Sequence, residues 1–310
     1  MNHRAWQWGL AAVAVVLVVT TGIWIARSPT KVSSSGVIQA VGAESQYANL
    51  VGQIGGRYVH VVAVMSNPTT DPHTYEASTQ VAQSISGANL VVQNGAGYDN
   101  FMSQLESAAP NSHRTVIVAQ VVLGLSSTTK NPHLWYDPSS MPLVATSIER
   151  ALVRLAPMHA HYFVQQLAAF RTSLTPLNRA IATFRMKFGG TKVATTEPVA
   201  DYLLTALGLD NVTPFRFQAD VMNGVDPSPE DTAGQQALFT NHKVKMLCYN
   251  AQVSSSITVA LRALAQRAKI PIVAVYETMP APGYDIQTWM MAEINAMTKA
   301  LTSRRSTTVL

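Results

Sequence analysis

Residues 37–65 read VIQAVGAESQYANLVGQIGGRYVHVVAVM. The β-branched run at 37–41 predicts a strand, 43–54 a helix and 59–65 a second strand. The alternation continues with a helix at 75–86, a strand at 89–93, a helix at 98–108, a strand at 115–122 and a helix at 139–155. It resumes after residue 190, with strands at 192–195, 245–249 and 272–275. Helices are expected there near 198–207, 229–241, 254–268 and 286–302. Ser228-Pro229-Glu230-Asp231 marks one start: Ser228 can cap, Pro229 fits the first helical position and Asp231 lies three residues past the cap. Such alternation is expected of parallel sheets covered by helices.

Residues 157–187 interrupt the pattern. Leu167, Phe170, Leu174, Leu177, Ile181 and Phe184 recur at three- and four-residue spacing between Pro157 and Gly189-Gly190. They predict one continuous helical stretch, which Pro176 kinks or splits. The expected fold is α/β: two parallel-sheet lobes joined by one long rigid helix, with a site in the cleft between them. The expected divisions are 1–36 for an N-terminal segment and linker, 37–156 for the first lobe, 157–189 for the linking helix and 190–310 for the second lobe. The two halves are not obvious sequence repeats.

Composition bounds the function. Of 310 residues, 47% are hydrophobic and 13% charged, which excludes a disordered or fibrous chain. The single cysteine, Cys248, excludes an intramolecular disulfide and a cysteine-rich zinc site; it lies in an apolar run and reads as a small buried hydrophobe. The net charge is +5, but the bases are scattered and nucleic acid is not an expected partner. Residues 5–26 carry no charge and stand between Arg4 and Arg27. About 20 apolar residues suffice to cross a bilayer. Trp6, Trp8 and Trp24 flank the span as interfacial aromatics, and Trp24-Ile25 stand where a cleavage site would need small residues. An uncleaved signal anchor is expected, holding the rest on the extracytoplasmic side of the cell membrane.

Four places carry chemistry: Asp71-Pro72-His73-Thr74-Tyr75-Glu76, Asn131-Pro132-His133-Leu134-Trp135-Tyr136, Thr195-Thr196-Glu197-Pro198 and Val275-Tyr276-Glu277-Thr278. Each is read as following a strand at its carboxyl end, where open α/β sheets bind ligands. Two belong to each lobe, so a cleft collects His73, His133, Glu197 and Glu277. Two imidazoles and two carboxylates suit a borderline divalent transition metal. A loop histidine is more often a surface residue, and a glutamate after a strand more often favours a helix start. The repeated Pro-His pair and the four strand ends outweigh those readings. Asn250 and Gln252 follow a strand toward the same crevice and can hydrogen-bond a ligand. His60 reads as structural, His113 and His242 as loop and helix-end residues, and Asp220 and Asp226 as turn and cap residues, while His159 and His161, two apart, point to different helix faces and make no joint site.

With these motifs the chain resembles the solute-binding proteins of zinc/manganese-type ABC importers, over about residues 37–302. Gln53-Ile54-Gly55-Gly56 within the opening strand–helix–strand resembles the family's start, and the segments around His73 and His133 resemble its first two ligand motifs. The resemblance implies that His73, His133 and Glu197 are metal ligands and that Glu277 holds the fourth place, where the family commonly has Asp. It implies partners: an ABC permease membrane subunit with its cytoplasmic ATPase. It also implies an interlobe helix at 157–187. The His-rich loop of many zinc importers is absent, and so is a lipid-attachment cysteine near the apolar span.

The expected cargo is one divalent transition metal, zinc or manganese, with iron acceptable to the carboxylates. The expected protein is a monomeric binding module and not an enzyme. The alternatives are a membrane-anchored adhesin with incidental metal binding, or a metal-dependent hydrolase. Four protein ligands leave a hydrolase little room for water, and no His-Glu-x-x-His, Gly-x-Ser-x-Gly or phosphate loop is present.

Overall fold

The computed structural model describes residues 36–68, 75 and 77–310. The apolar span at 5–26 and the first Pro-His motif, His73 included, lie outside them. Among the described residues no helix is long and apolar enough to cross a membrane.

The first lobe runs β1 (Ile38–Glu44), α1 (Ser45–Gly55), β2 (Val59–Met65), α2 (Thr79–Gly87), β3 (Leu90–Gln93), α3 (Asn100–Ala108), β4 (Thr115–Val118), α4 (Ala119–Val122) and α5 (Ser140–Leu155). Two helices follow, α6 (Ala160–Ser173) and α7 (Thr175–Phe188). The second lobe runs β5 (Lys192–Thr195), α8 (Asp201–Ala206), β6 (Asp210–Asn211), α9 (Phe215–Met222), α10 (Pro229–Thr240), β7 (Leu247–Asn250), α11 (Ser256–Arg267), β8 (Ile272–Val275) and α12 (Ile286–Ser303).

The sheets have the orders β2-β1-β3-β4 and β6-β5-β7-β8, the same permutation twice. The pairings are parallel throughout. β3, β7 and β8 are buried along their whole length, as parallel strands covered on both faces must be. In each sheet the order reverses beside the first-formed strand, between β1 and β3 and between β5 and β7. Crevices open at the carboxyl ends of strands at such switch points.

The expected alternation is what the chain forms, with four differences. The run at 115–122 is a strand only to Val118, where the backbone turns into α4. His133 therefore sits on a loop well past the strand, not at its end. β6 and α9 were not legible, and Asp220, read as a turn residue, lies within α9. The linking helix is two helices that meet at Leu174 (φ −76°, ψ −11°). Leu174 keeps helical backbone, but Pro176 has no N–H to give to the preceding turn, so the ladder breaks there. Ser228 caps α10 by accepting the Asp231 amide, with Pro229 at the first position.

A polar seam on α1 ties the lobes together. Ser45, Asn49 and Gln53 are spaced by four and share one face. Ser45 Oγ accepts the Met279 amide (2.9 Å) and Asn49 Oδ1 the Ile286 amide (3.2 Å). Gln53 and Gln287 exchange amide hydrogen bonds of 3.0 and 2.8 Å. Buried or half-buried backbone amides of the segment between β8 and α12 are thus satisfied from the other lobe.

Candidate metal centre

His133 follows Asn131-Pro132, and the asparagine sets its ring. Asn131 Oδ1 accepts the His133 backbone amide (3.1 Å) and lies 2.8 Å from Nδ1. A carboxamide oxygen only accepts, so Nδ1 is a donor and Nε2 is the nitrogen turned to the cleft. Nε2 is buried, makes no hydrogen bond, and faces Glu277 Oε2 at 3.4 Å across the lobe boundary. One nitrogen anchored by an oxygen and the other left without a hydrogen-bond partner is the arrangement of a metal-ligating histidine. Asn131 also reaches the second lobe, giving its side-chain amide to Pro198 O (2.9 Å), while Tyr202 donates to Asn131 O (3.0 Å). Tyr98 and Trp135 pack edge-on around the ring, with centroids 5.8 and 5.4 Å from it.

Glu197 follows β5 and Asn250 ends β7, so the two flank the switch point of the second sheet. Glu277 lies two residues past β8. Asn250 Nδ2 serves both carboxylates, at 3.2 Å from Glu197 Oε2 and 2.5 Å from Glu277 Oε1. Tyr98 donates to Glu277 Oε2 (2.8 Å). Gln252 Oε1 accepts the backbone amides of Glu277 (2.6 Å) and Thr278 (3.0 Å). Gln46 of the first lobe donates to Glu277 O (3.2 Å). Glu277 is therefore gripped from both lobes, and His133, Glu197, Glu277 and Asn250 are all buried.

The structure thus brings together His133, Glu197, Glu277, Asn250 and Gln252. His73 lies outside the described residues, among which no three His, Cys, Asp or Glu side chains are already arranged around an ion position. Of the other residues weighed, His159 stacks on Tyr58 at 3.7 Å and Cys248 is buried.

Sequence reasoning missed the switch point of the first sheet. Glu44 ends β1, Asn94 follows β3 and Asp99 lies just beyond. Glu44 is fully buried and neither of its oxygens accepts a hydrogen bond. Burial raises its carboxyl well above the ordinary range, and the charge of the neighbouring Asp99 raises it further. Burial likewise raises Asp99 to about 6, against the pull of the Gly95 and Asn94 amides it accepts. A glutamate closing a buried strand was the available signal.

Raised folded values make these carboxyls stabilising at low pH, and that stability is lost as pH rises toward and through the folded values. Glu44→Gln keeps the size and polarity of the side chain and removes one titration. The variant should therefore gain on wild type as pH rises from about 5 to about 8, by up to ~1.4 kcal/mol per unit. Urea unfolding at each pH measures this, and a constant difference would contradict it.

A family model described as zinc-uptake complex component A, periplasmic, matches residues 41–300. The zinc-binding protein TroA of Treponema pallidum is 24% identical over 174 residues, 54% of this chain and 56% of that protein. The manganese-binding lipoprotein MntA of Bacillus subtilis is 24% identical over 148 residues, 46% of this chain and 48% of that one. The chain thus spans about half the length of these curated relatives. The solved periplasmic zinc-binding TroA of Treponema pallidum superposes with a TM-score of 0.73 at 19% identity, covering 86% of this chain and 99% of that one. With most of its length matched by the model, and both lobes by that architecture, the chain belongs to the family of the periplasmic component A of zinc-uptake complexes.

Proposed function

We propose that this chain is the extracytoplasmic solute-binding component of an ABC importer: it captures one divalent transition metal and delivers it to a membrane permease served by a cytoplasmic ATPase. His133, Glu197 and Glu277 are its ligands, with His73 of the first Pro-His motif as the fourth. The observation that carries this is His133, whose free Nε2 points at a second-lobe carboxylate while Asn131 holds Nδ1. An ion there would replace the long Nε2–Oε2 contact by two bonds and join the lobes. The donor set suits zinc, manganese or iron, and relatives named for zinc, manganese and iron support each. The chain acts as a monomer anchored through residues 5–26 and catalyses nothing, since its work is capture and release.

The test is elemental analysis and melting of the full chain, stripped with a chelator and then offered metals in competition. One ion per chain is expected. At a hundredfold excess over Kd, binding stabilises the native state by about 2.7 kcal/mol, roughly 5–10 °C in Tm. No bound metal, or no shift on its removal, would defeat the reading.

A further inference from the structure

Tyr136 stands three residues past His133, and Tyr276 immediately precedes Glu277. The Tyr136 hydroxyl reaches across the lobes to lie 2.8 Å from Tyr276 O and 2.6 Å from Glu293 Oε1, and it accepts the Tyr276 amide at 3.2 Å. Trp289 Nε1 gives its hydrogen to the same Oε1 at 2.9 Å. Tyr136, Glu293 and Trp289 are fully buried.

Counting protons settles the direction of these bonds. Each short oxygen–oxygen contact needs one hydrogen, and the phenol owns one. Burial pushes the Tyr136 phenol well above its ordinary range, so it keeps that hydrogen. Tyr276 O is a carbonyl and supplies none. The second hydrogen therefore belongs to Glu293: its Oε1 accepts from Trp289 and donates to Tyr136, and Tyr136 donates to Tyr276 O. Glu293 Oε2 accepts nothing, as fits the less demanding carbonyl oxygen of an acid better than a carboxylate.

We propose that Glu293 is a neutral carboxylic acid and a positioning residue for the metal centre, its proton relayed through Tyr136 to clamp the His133-bearing and Glu277-bearing segments together. The positioning role rests on the metal reading above; the protonation does not. Ionised Glu293 would draw the single Tyr136 hydrogen to itself, because a charged acceptor makes the stronger bond. Tyr276 O would then lose its donor next to Glu277, and the clamp would open.

The surroundings keep Glu293 neutral. Burial raises it to about 8, against the hydrogen bonds of Tyr136 and Trp289. The titratable groups facing it are Tyr136, Tyr276 at the end of β8, and Cys248 on β7, whose thiol Glu293 helps to raise. On the packed α7, Arg179 and Lys187 line an outer groove with Ile294 and Asn295 instead.

Two measurements on the full chain test this, using Glu293→Gln, Glu293→Leu and Tyr136→Phe. The first is zinc affinity near neutral pH by chelator competition. Gln with its amide nitrogen in place of Oε1 can donate to Tyr136 at the loss of the Trp289 hydrogen bond, and should lose clearly less affinity than the other two variants. The Leu and Phe variants should lose about tenfold or more, as outer partners of metal ligands do. The second is denaturant unfolding of metal-free protein from about pH 5 to about pH 9. A folded value above the unfolded one gives stability that is lost as pH rises through the folded value. The wild-type unfolding constant should therefore rise about tenfold per pH unit relative to Glu293→Gln, levelling near 8. A wild-type-to-Gln ratio constant across pH would show an ionised Glu293 and overturn the proposal. Wild-type zinc affinity in folded Glu293→Leu or Tyr136→Phe would overturn the positioning role. Wild type that binds no zinc would defeat the metal reading and the positioning role with it, while the unfolding curves still decide the proton. Loss at His133→Ala with no loss at Tyr136→Phe would leave the metal reading standing and the clamp refuted.

Discussion

Replacing His133 by Ala should lower zinc affinity by more than ~100-fold. Loss of an outer partner of a metal ligand costs about 10–100-fold, and here the donor atom itself goes. The ring is fully buried and held by Asn131 on one nitrogen, so no exposed side chain can rotate in to replace it. The substitution also strands Asn131 Oδ1 without its ring donor. His159→Ala is the matched control: that ring stacks on Tyr58, so affinity should stay within about twofold. Chelator competition measures both. Similar losses at the two histidines would remove His133 from the site.

Gly42→Ala should be strongly destabilising for so small a substitution. β1 is central in the first sheet, and α1 begins directly after it. A Cβ on Gly42 would sit 2.3 Å from the Ala48 backbone nitrogen and 2.6 Å from its Cα. Those are backbone atoms inside a helix, so relief requires moving α1, which also carries Ser45, Asn49 and Gln53 of the interlobe seam. Overpacking typically costs about 1–3 kcal/mol, occasionally more; with rigid backbone as the obstacle, ~3 kcal/mol or more is expected, roughly 6–12 °C in Tm. Gly87→Ala is the control, because nothing lies within 4 Å of its would-be Cβ. Thermal melting of the two variants decides it, and equal Tm values would refute the steric account.

The Gly42 effect depends on a connection tight enough to join strand to helix without a loop. That connection was visible early. The run from Val37 to Met65 alternates between β-branched and helical patterns because each element buries its own local face, and period is a property of neighbouring residues. The same locality exposed Glu197, Asn250 and Glu277, since strand ends are marked by where an apolar run stops. Asn131-Pro132-His133 was recognisable by composition, although its loop is longer than the strand pattern implied.

The rest needed three dimensions. β6 is two residues long, and a pattern that short carries no period. Glu44 and Glu293 were not singled out from the sequence; their meaning comes from Asp99, Tyr136 and Trp289 beside them. Whether a carboxyl is charged depends on desolvation and on which donors face it, and those arrive from distant parts of the chain. The amino-acid sequence by itself determined the two parallel sheets, the burial of Cys248 and the residue types at the cleft, because hydrophobic period and strand-end chemistry are local. Only the tertiary structure decided that Nε2 of His133 faces Glu277, that one asparagine amide serves two carboxylates, and that Glu293 holds a proton between the lobes, because these are contacts between groups that no local pattern brings together.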